Sequence, residues 1–243
     1  MLSQCAPQDL TTRYKKGERE FQGINLRGAD LQNAILNGVN LSYTYLVGAD
    51  LREANLKGAN LFCANLYKAD MRKADLSKAD LRGANMYRAK LHGVKIDKTK
   101  MDFKWKRIWE IVNLGCRGCD LRSVNLYGAD LSWVDLREAI IAGNNLRDVD
   151  LSGADLSFAD LMNVDLRWAD MKNTNLNGAN LSGANLQGAD LEGANLEGAN
   201  LSEANLFRAF LQSAILFQAN VTEQQLDETL SIKNAIMPDG NKP

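Results

Sequence analysis

From Leu26 to Met101, and again from Leu121 to Leu216, every fifth residue is Leu, Ile or Met, sixteen positions in the first run and twenty in the second. That period is neither the 3.6 of an α-helix nor the 2 of a β-strand. Two residues before each central position, 24 of the 36 residues are Ala, and the residue between is Asp or Asn at 28 of the 36. Apolar residues two apart face the same side of an extended segment. Each pentapeptide therefore predicts a very short strand that turns its outer pair inward. Of 19 glycines, 16 stand two residues after a central position, which points to a tight turn with positive φ, as in a type II turn. Four such corners close a coil of twenty residues in which every side chain lies over its counterpart twenty residues on. One coil alone buries almost nothing, so neighbouring coils must supply the stability.

Three segments break the period. "APQDLTTRYKKG" carries Pro7 at a first helical turn, Leu10 and Tyr14 four apart, and Gly17 as a stop. "DFKWKRIWEIVNLG" spaces Phe103, Trp105, Ile108, Trp109 and Val112 as an amphipathic helix that returns near Gly115. "VTEQQLDETL" opens with a capping-box pair, Thr222 and Gln225, followed by Leu226 and Leu230 on one expected face. An open coil exposes unpaired backbone at each end, so the terminal segments are expected to act as caps. The organisation predicted is a helical cap over 1–20, repeats over 21–102, a helical insertion over 103–115, repeats over 116–221, and a cap and tail over 222–243.

The unit A-(D/N)-L-x-x, as in "ANLFCANLYKADMRKADLSKADLRGANM", resembles the pentapeptide-repeat proteins over roughly Phe21 to Val221, apart from the insertion. The resemblance implies an all-β solenoid, a right-handed quadrilateral β-helix. With about nine coils roughly 4.8 Å apart it would be a rod about 43 Å long. The tail "IKNAIMPDG" and the helical insertion are similar to those of cyanobacterial members. Members of the family include DNA mimics that occupy the DNA site of gyrase.

Composition is that of an ordinary water-soluble protein, 45% hydrophobic and 24% charged. The sequence has no run of eighteen apolar residues and no apolar stretch behind a basic start, so neither a membrane partner nor a secretory signal is expected, and the cytoplasm is the expected location. The net charge of −1 conceals an asymmetry. Residues 1–120 hold 21 Lys+Arg against 13 Asp+Glu, whereas 121–243 hold 8 against 17. Such a split favours docking of an acidic partner on the basic half, or head-to-tail self-association.

Candidate chemistry is sparse. Four cysteines, Cys5, Cys63, Cys116 and Cys119, are too few for a disulfide scaffold in a chain of 243 residues. The repeat places Cys116 and Cys119 inward, either as two core thiols or as a disulfide bracing re-entry from the insertion, and leaves Cys63 exposed and unpaired. His92, the single histidine, is expected to point outward as a solvated residue, and nothing marks an activated nucleophile. No enzyme activity, cofactor or metal site is expected. Asn144 takes a slot normally held by Ala, which predicts a local bulge hydrogen-bonded to the backbone.

The stacked columns are the functional candidates. Asp130, Asp150, Asp170 and Asp190 align as one carboxylate ladder on the acidic half, read as a solvated face. Tyr67 with Lys68 stands over Tyr87 with Arg88 on the basic half. Trp105 and Trp109 beside Lys104, Lys106 and Arg107 form either a partner-binding knob or a helix packed back on the coil. The reading that results is a non-enzymatic interaction scaffold with an unidentified protein partner. A gyrase inhibitor or protector is the first alternative and nucleic-acid binding by the basic half the second. The near-neutral total charge argues against both, and Leu rather than Phe at the central positions argues against the first.

Overall fold

The structure is a computed structural model that describes residues 7–243; Cys5 and the start of the amino-terminal helical segment lie outside the described residues. The chain divides into two units, Met1–Asn113 and Leu114–Pro243.

In both units the five-residue sides pair with those twenty residues on through a single parallel position, as Asp50 with Asp70 and Asp150 with Asp170, with a break between Asn125 and Asn145. The sides are thus shorter than the strands expected from the sequence. A turn begins at every central residue, which leaves one residue per side free to pair.

The backbone accounting explains the pentapeptide. The central N–H donates to the next coil (Leu51 N to Asp70 O, 2.7 Å), as does the corner N–H (Glu53 N to Arg72 O, 3.0 Å). The N–H of the alanine closes the turn (Ala54 N to Leu51 O, 3.0 Å), and that of the Asx residue reaches back to the previous coil (Asp50 N to Ala29 O, 2.9 Å). The fifth N–H, just after the central residue, is accepted by the Asx side chain two residues earlier, as Arg52 N by Asp50 Oδ1 at 3.1 Å. Every donor of the unit is then met, which is what a backbone that leaves water requires. This is why Asp or Asn recurs.

Leucine and alanine fill the interior, with Leu51, Leu56, Leu151 and Leu156 fully buried. Thr44 and Thr174, in alanine slots, are also fully buried, and their hydroxyls donate to Leu41 O and Leu151 O.

In the amino-terminal unit, α1 (Pro7–Lys15) buries Leu10 completely and donates from the Tyr14 hydroxyl to Asn37 O at 2.8 Å. The second helix, α2 (Phe103–Leu114), buries Trp105, Ile108, Ile111 and Val112. It meets the last coil with polar side chains: Trp109 Nε1 donates to Val94 O at 2.7 Å, and Asn113 accepts from Gly93 N at 2.6 Å while donating to Leu91 O at 3.1 Å.

In the carboxyl-terminal unit the ladder keeps its twenty-residue step as far as Asn200 with Asn220, then shifts to twenty-one, with Phe210 paired to Ser231 and Ile215 to Ile236. The helix α3 (Glu223–Asp227) inserts the extra residue and carries the Thr222–Gln225 capping box. It ends before Leu230. Leu226 is buried, but Leu230 is exposed because the chain has already rejoined the coil, with Leu230 N donating to Ala209 O at 2.8 Å. The segment that reads as a tail in the sequence is repeat in a shifted register.

Candidate interaction surface

With the interior occupied by leucine and alanine, chemistry is confined to the outer columns of each unit. In the amino-terminal unit Tyr67 and Tyr87 stack with centroids 5.6 Å apart and planes 14° from parallel, and Lys68 Nζ stands 5.4 Å from the Tyr67 centroid. Arg88 follows Tyr87 at the same corner one coil on.

Arginines and lysines divide the positive charge unequally. Arg52, Arg72 and Arg82 each fold back onto the aspartate two residues earlier, Asp50, Asp70 and Asp80. Lys90, Lys95 and Lys100 instead replace the Asx residue on three successive sides and pair in the ladder over Asp70, Asp75 and Asp80. Among the described residues none of these three lysines joins an ion pair, and all three are exposed. The Ser77 hydroxyl and Lys95 both help to hold the Asp75 carboxyl below its usual range.

On α2, Trp105 is buried with Lys104 Nζ 4.7 Å from its ring, and burial pushes the Lys104 ammonium down. Trp109 is held through Val94 O. The two indoles therefore face the coil. His92 departs from its expected solvated position: it is half-buried, and its Nε2 is enclosed without a hydrogen-bond partner. Asn113, bonded to residues 91 and 93 on either side, brings the end of α2 over it.

In the carboxyl-terminal unit Cys116 and Cys119 are joined by a disulfide, with Cα atoms 5.3 Å apart. Cys63, in the other unit, is a free, half-buried thiol. The aspartate ladder is not a uniformly solvated carboxylate column. Asp130 is only 3% exposed, and it and Asp150 accept from the hydroxyls of Ser132 and Ser152 at 2.7 and 2.6 Å. Lys172 Nζ sits 2.8 Å from Asp190, and this bond, with Asp170 close by, raises the lysine pKa. Serine hydroxyls and one lysine thus absorb the repulsion that stacked carboxylates would generate.

Sequence reasoning missed three exposed aromatics, which stand at three different corners of the twenty-residue coil. Trp133, Phe158 and Trp168 are 76%, 64% and 49% exposed, and all occupy corners with φ near +60°. Each ring lies against the glycine one coil on: an added Cβ would sit 2.6 Å from Trp133 at Gly153, 2.7 Å from Phe158 at Gly178 and 2.3 Å from Trp168 at Gly188. The signal was legible as "WVD", "FAD" and "WAD", each with a glycine twenty residues after its aromatic.

The family described as Pentapeptide repeats matches this chain in eight copies, over residues 20–58, 59–97, 116–143, 129–167, 159–198 and 184–222. HetL, a pentapeptide-repeat protein involved in heterocyst differentiation regulation from the cyanobacterium Nostoc sp. strain PCC 7120, is 32% identical over 98% of this chain and 100% of its own, with a TM-score of 0.34. The pentapeptide-repeat protein alr5209 of Nostoc PCC 7120 is 39% identical over 42% of this chain and 85% of its own, TM-score 0.41. A pentapeptide-repeat protein of the Arabidopsis thaliana thylakoid lumen is 28% identical over 52% and 85%, TM-score 0.32. No curated protein matches. Among the described residues no helix is long and apolar enough to cross a membrane. With well over half of its residues matched, the chain belongs to the pentapeptide-repeat family, whose fold is the right-handed quadrilateral β-helix.

Proposed function

We propose that this protein is a non-enzymatic scaffold whose amino-terminal unit docks an acidic protein surface, with α1 and α3 shielding coil ends. The observation that carries the reading is the replacement of the Asx residue by Lys90, Lys95 and Lys100 on three sides of one coil, each exposed and outside any ion pair among the described residues. Lysine gives up the side-chain acceptor that the turn otherwise uses, and sets exposed positive charge over Asp70, Asp75 and Asp80 in its place. Positive charge carried around one coil, with Lys90 on the side that follows the stacked Tyr67–Tyr87 corner, combines long-range attraction with aromatic contact area. The unit as a whole carries twenty Lys+Arg against twelve Asp+Glu, which favours an acidic partner over a basic one.

The test is affinity capture from native lysate with the full-length chain, washed at about 20 and 500 mM salt, beside the Lys90→Glu/Lys95→Glu/Lys100→Glu variant. One specific acidic protein, released by salt and absent from the variant, supports the reading. Capture unchanged in the variant, or no partner at either salt, defeats it.

A further inference from the structure

In the carboxyl-terminal unit the ladder opens between Asn125 and Asn145, and the opening leaves backbone groups that no described residue meets. We propose that it binds a primary carboxamide, either of a small molecule or of an Asn or Gln side chain on a partner.

The opening is bounded on both sides. Leu121 N still donates to Ile140 O at 2.8 Å, and Gly128 N to Arg147 O at 3.0 Å. Between them the rule of the coil would send Ser123 N to Ala142 O, Asn145 N to Val124 O and Leu126 N to Asn145 O, and none of these bonds forms. Asn144 fills the middle one, donating from Nδ2 to Val124 O at 2.9 Å while its Oδ1 accepts from Asn145 N at 2.7 Å. The other two remain as a donor set opposite an acceptor. Among the described residues Ser123 N, Leu126 N, Ala142 O and Asn145 O have no partner. A cavity of about 310 Å3 lies here, lined by Ser123, Asn144 and Asn145 and by Asn125 and Tyr127, the neighbours of Leu126.

Asn144 shows what fits. A carboxamide carries an acceptor and a donor in one plane, and here it bridges an N–H and a C=O that would otherwise pair directly. Leu126 N and Asn145 O present the same donor and acceptor one position along, and a second carboxamide meets both. A carboxylate only accepts, so it leaves Asn145 O unmet, and an apolar group leaves both unmet. Charge does not draw in an anion either. Arg122, the cation of the lining, is held by Asp120 at 2.7 Å, and the unit carries nine Lys+Arg against eighteen Asp+Glu.

The probe is the tripeptide Gly-Gln-Gly, titrated into the isotope-labelled full chain while the Leu126 and Ser123 amide resonances are followed, with Gly-Glu-Gly and Gly-Leu-Gly beside it. Gly-Gln-Gly is expected to shift the Leu126 amide saturably and to bind at least tenfold tighter than either control. Dimethylating the Gln amide nitrogen keeps the acceptor, removes the donor and should weaken binding at least tenfold. Ser123→Trp, at an exposed corner outside the positive-φ positions, sets a ring across the opening and should lose at least tenfold. Absence of a saturable shift overturns the proposal and leaves the opening to water. Equal binding of Gly-Glu-Gly or of the dimethylated peptide overturns it as well, as does unchanged affinity in a Ser123→Trp chain with the wild-type circular dichroism spectrum. The peptide comparison on the wild-type chain decides the matter if that variant does not fold. Free glutamine separates the two sources while supporting the site: tighter binding than the tripeptide makes the ligand a small molecule, and weaker binding makes it a partner's side chain.

Discussion

Asn144 Nδ2 lies 2.7 Å from Leu121 O and 2.9 Å from Val124 O, so one carboxamide stands where two coils would otherwise pair directly. Its own Oδ1 accepts from Asn145 N at 2.7 Å. In the regular register Asn145 N would reach Val124 O; here the amide inserts between them, and the Ser123 corner is absent from the positive-φ positions. Replacing Asn144 by Ala, the usual occupant, leaves Val124 O and Asn145 N unmet at about 1 to 3 kcal/mol each, while Leu121 O keeps the turn bond from Val124 N at 2.9 Å. Chemical denaturation should place Asn144→Ala below wild type by about 2 to 4 kcal/mol. A neutral substitution would mean that the ladder closes on its own and the amide is dispensable.

Trp168 over Gly188 separates two uses of glycine. Twenty-one non-glycine residues among those described hold the same left-handed φ, Trp168 and Lys68 included, so the corner does not need glycine for its backbone alone. Gly143 has nothing within 4 Å of an added Cβ, whereas at Gly188 the indole is 2.3 Å away. Gly143→Ala should cost only the left-handed strain of about 1 to 2 kcal/mol. Gly188→Ala adds a clash against a ring, for a total of about 2 to 5 kcal/mol. Paired guanidinium melts check it, and equal losses would show that Trp168 swings away freely.

The coil was legible because its cause is local and repeated: Leu and Ala two apart, a corner, and twenty residues to the next counterpart. The role of Asp and Asn was not, because Asp50 accepts the N–H of Arg52, a bond that periodicity of apolar residues does not encode. The one-residue shift after α3 was hidden for a related reason. Ile232 and Met237 keep the five-residue spacing but fall out of phase with Leu216, so "IKNAIMPDG" reads as a tail until Ser231 is seen beside Phe210. The aromatic corners escaped because Trp133 and Gly153 lie in different coils, and only the fold brings the ring to the glycine.

Asp135 and Arg137 set an acid limit. The bond from Arg137 holds the Asp135 carboxyl down to about 2, against about 3.9 for an unfolded aspartate. A carboxyl depressed in the folded state stabilises it above about pH 4 and loses that contribution as pH falls toward 2. Asp135→Asn keeps the acceptor for Arg137 N and removes the charge. The melting temperature of this variant should lie below wild type at pH 7 by a small amount, since both side chains are 41% exposed, and should converge with it near pH 2. Parallel curves across that range would exclude the pair as the source.

Asn113 meets the edge of the last coil of its unit. Its amide meets Gly93 N at 2.6 Å and Leu91 O at 3.1 Å, and Trp109 Nε1 meets Val94 O at 2.7 Å, so α2 supplies the last coil of its unit with partners from side chains. Asn113→Ala strips Gly93 N of its partner, Leu91 O keeping the bond from Val94 N at 3.2 Å, while Trp109→Phe keeps most of the packing and strips Val94 O. At about 1 to 3 kcal/mol per unmet group, the two should cost about the same, and what separates them is where the loss falls. Amide exchange at Gly93 reads this locally: about 1.4 kcal/mol of lost protection corresponds to tenfold faster exchange, so Asn113→Ala should accelerate it at least tenfold. Trp109→Phe should leave Gly93 within a few fold of wild type, because that amide is bonded to Asn113 and not to the indole. Acceleration by both substitutions alike would mean that α2 detaches as a unit, and that its packing rather than these hydrogen bonds seals the coil.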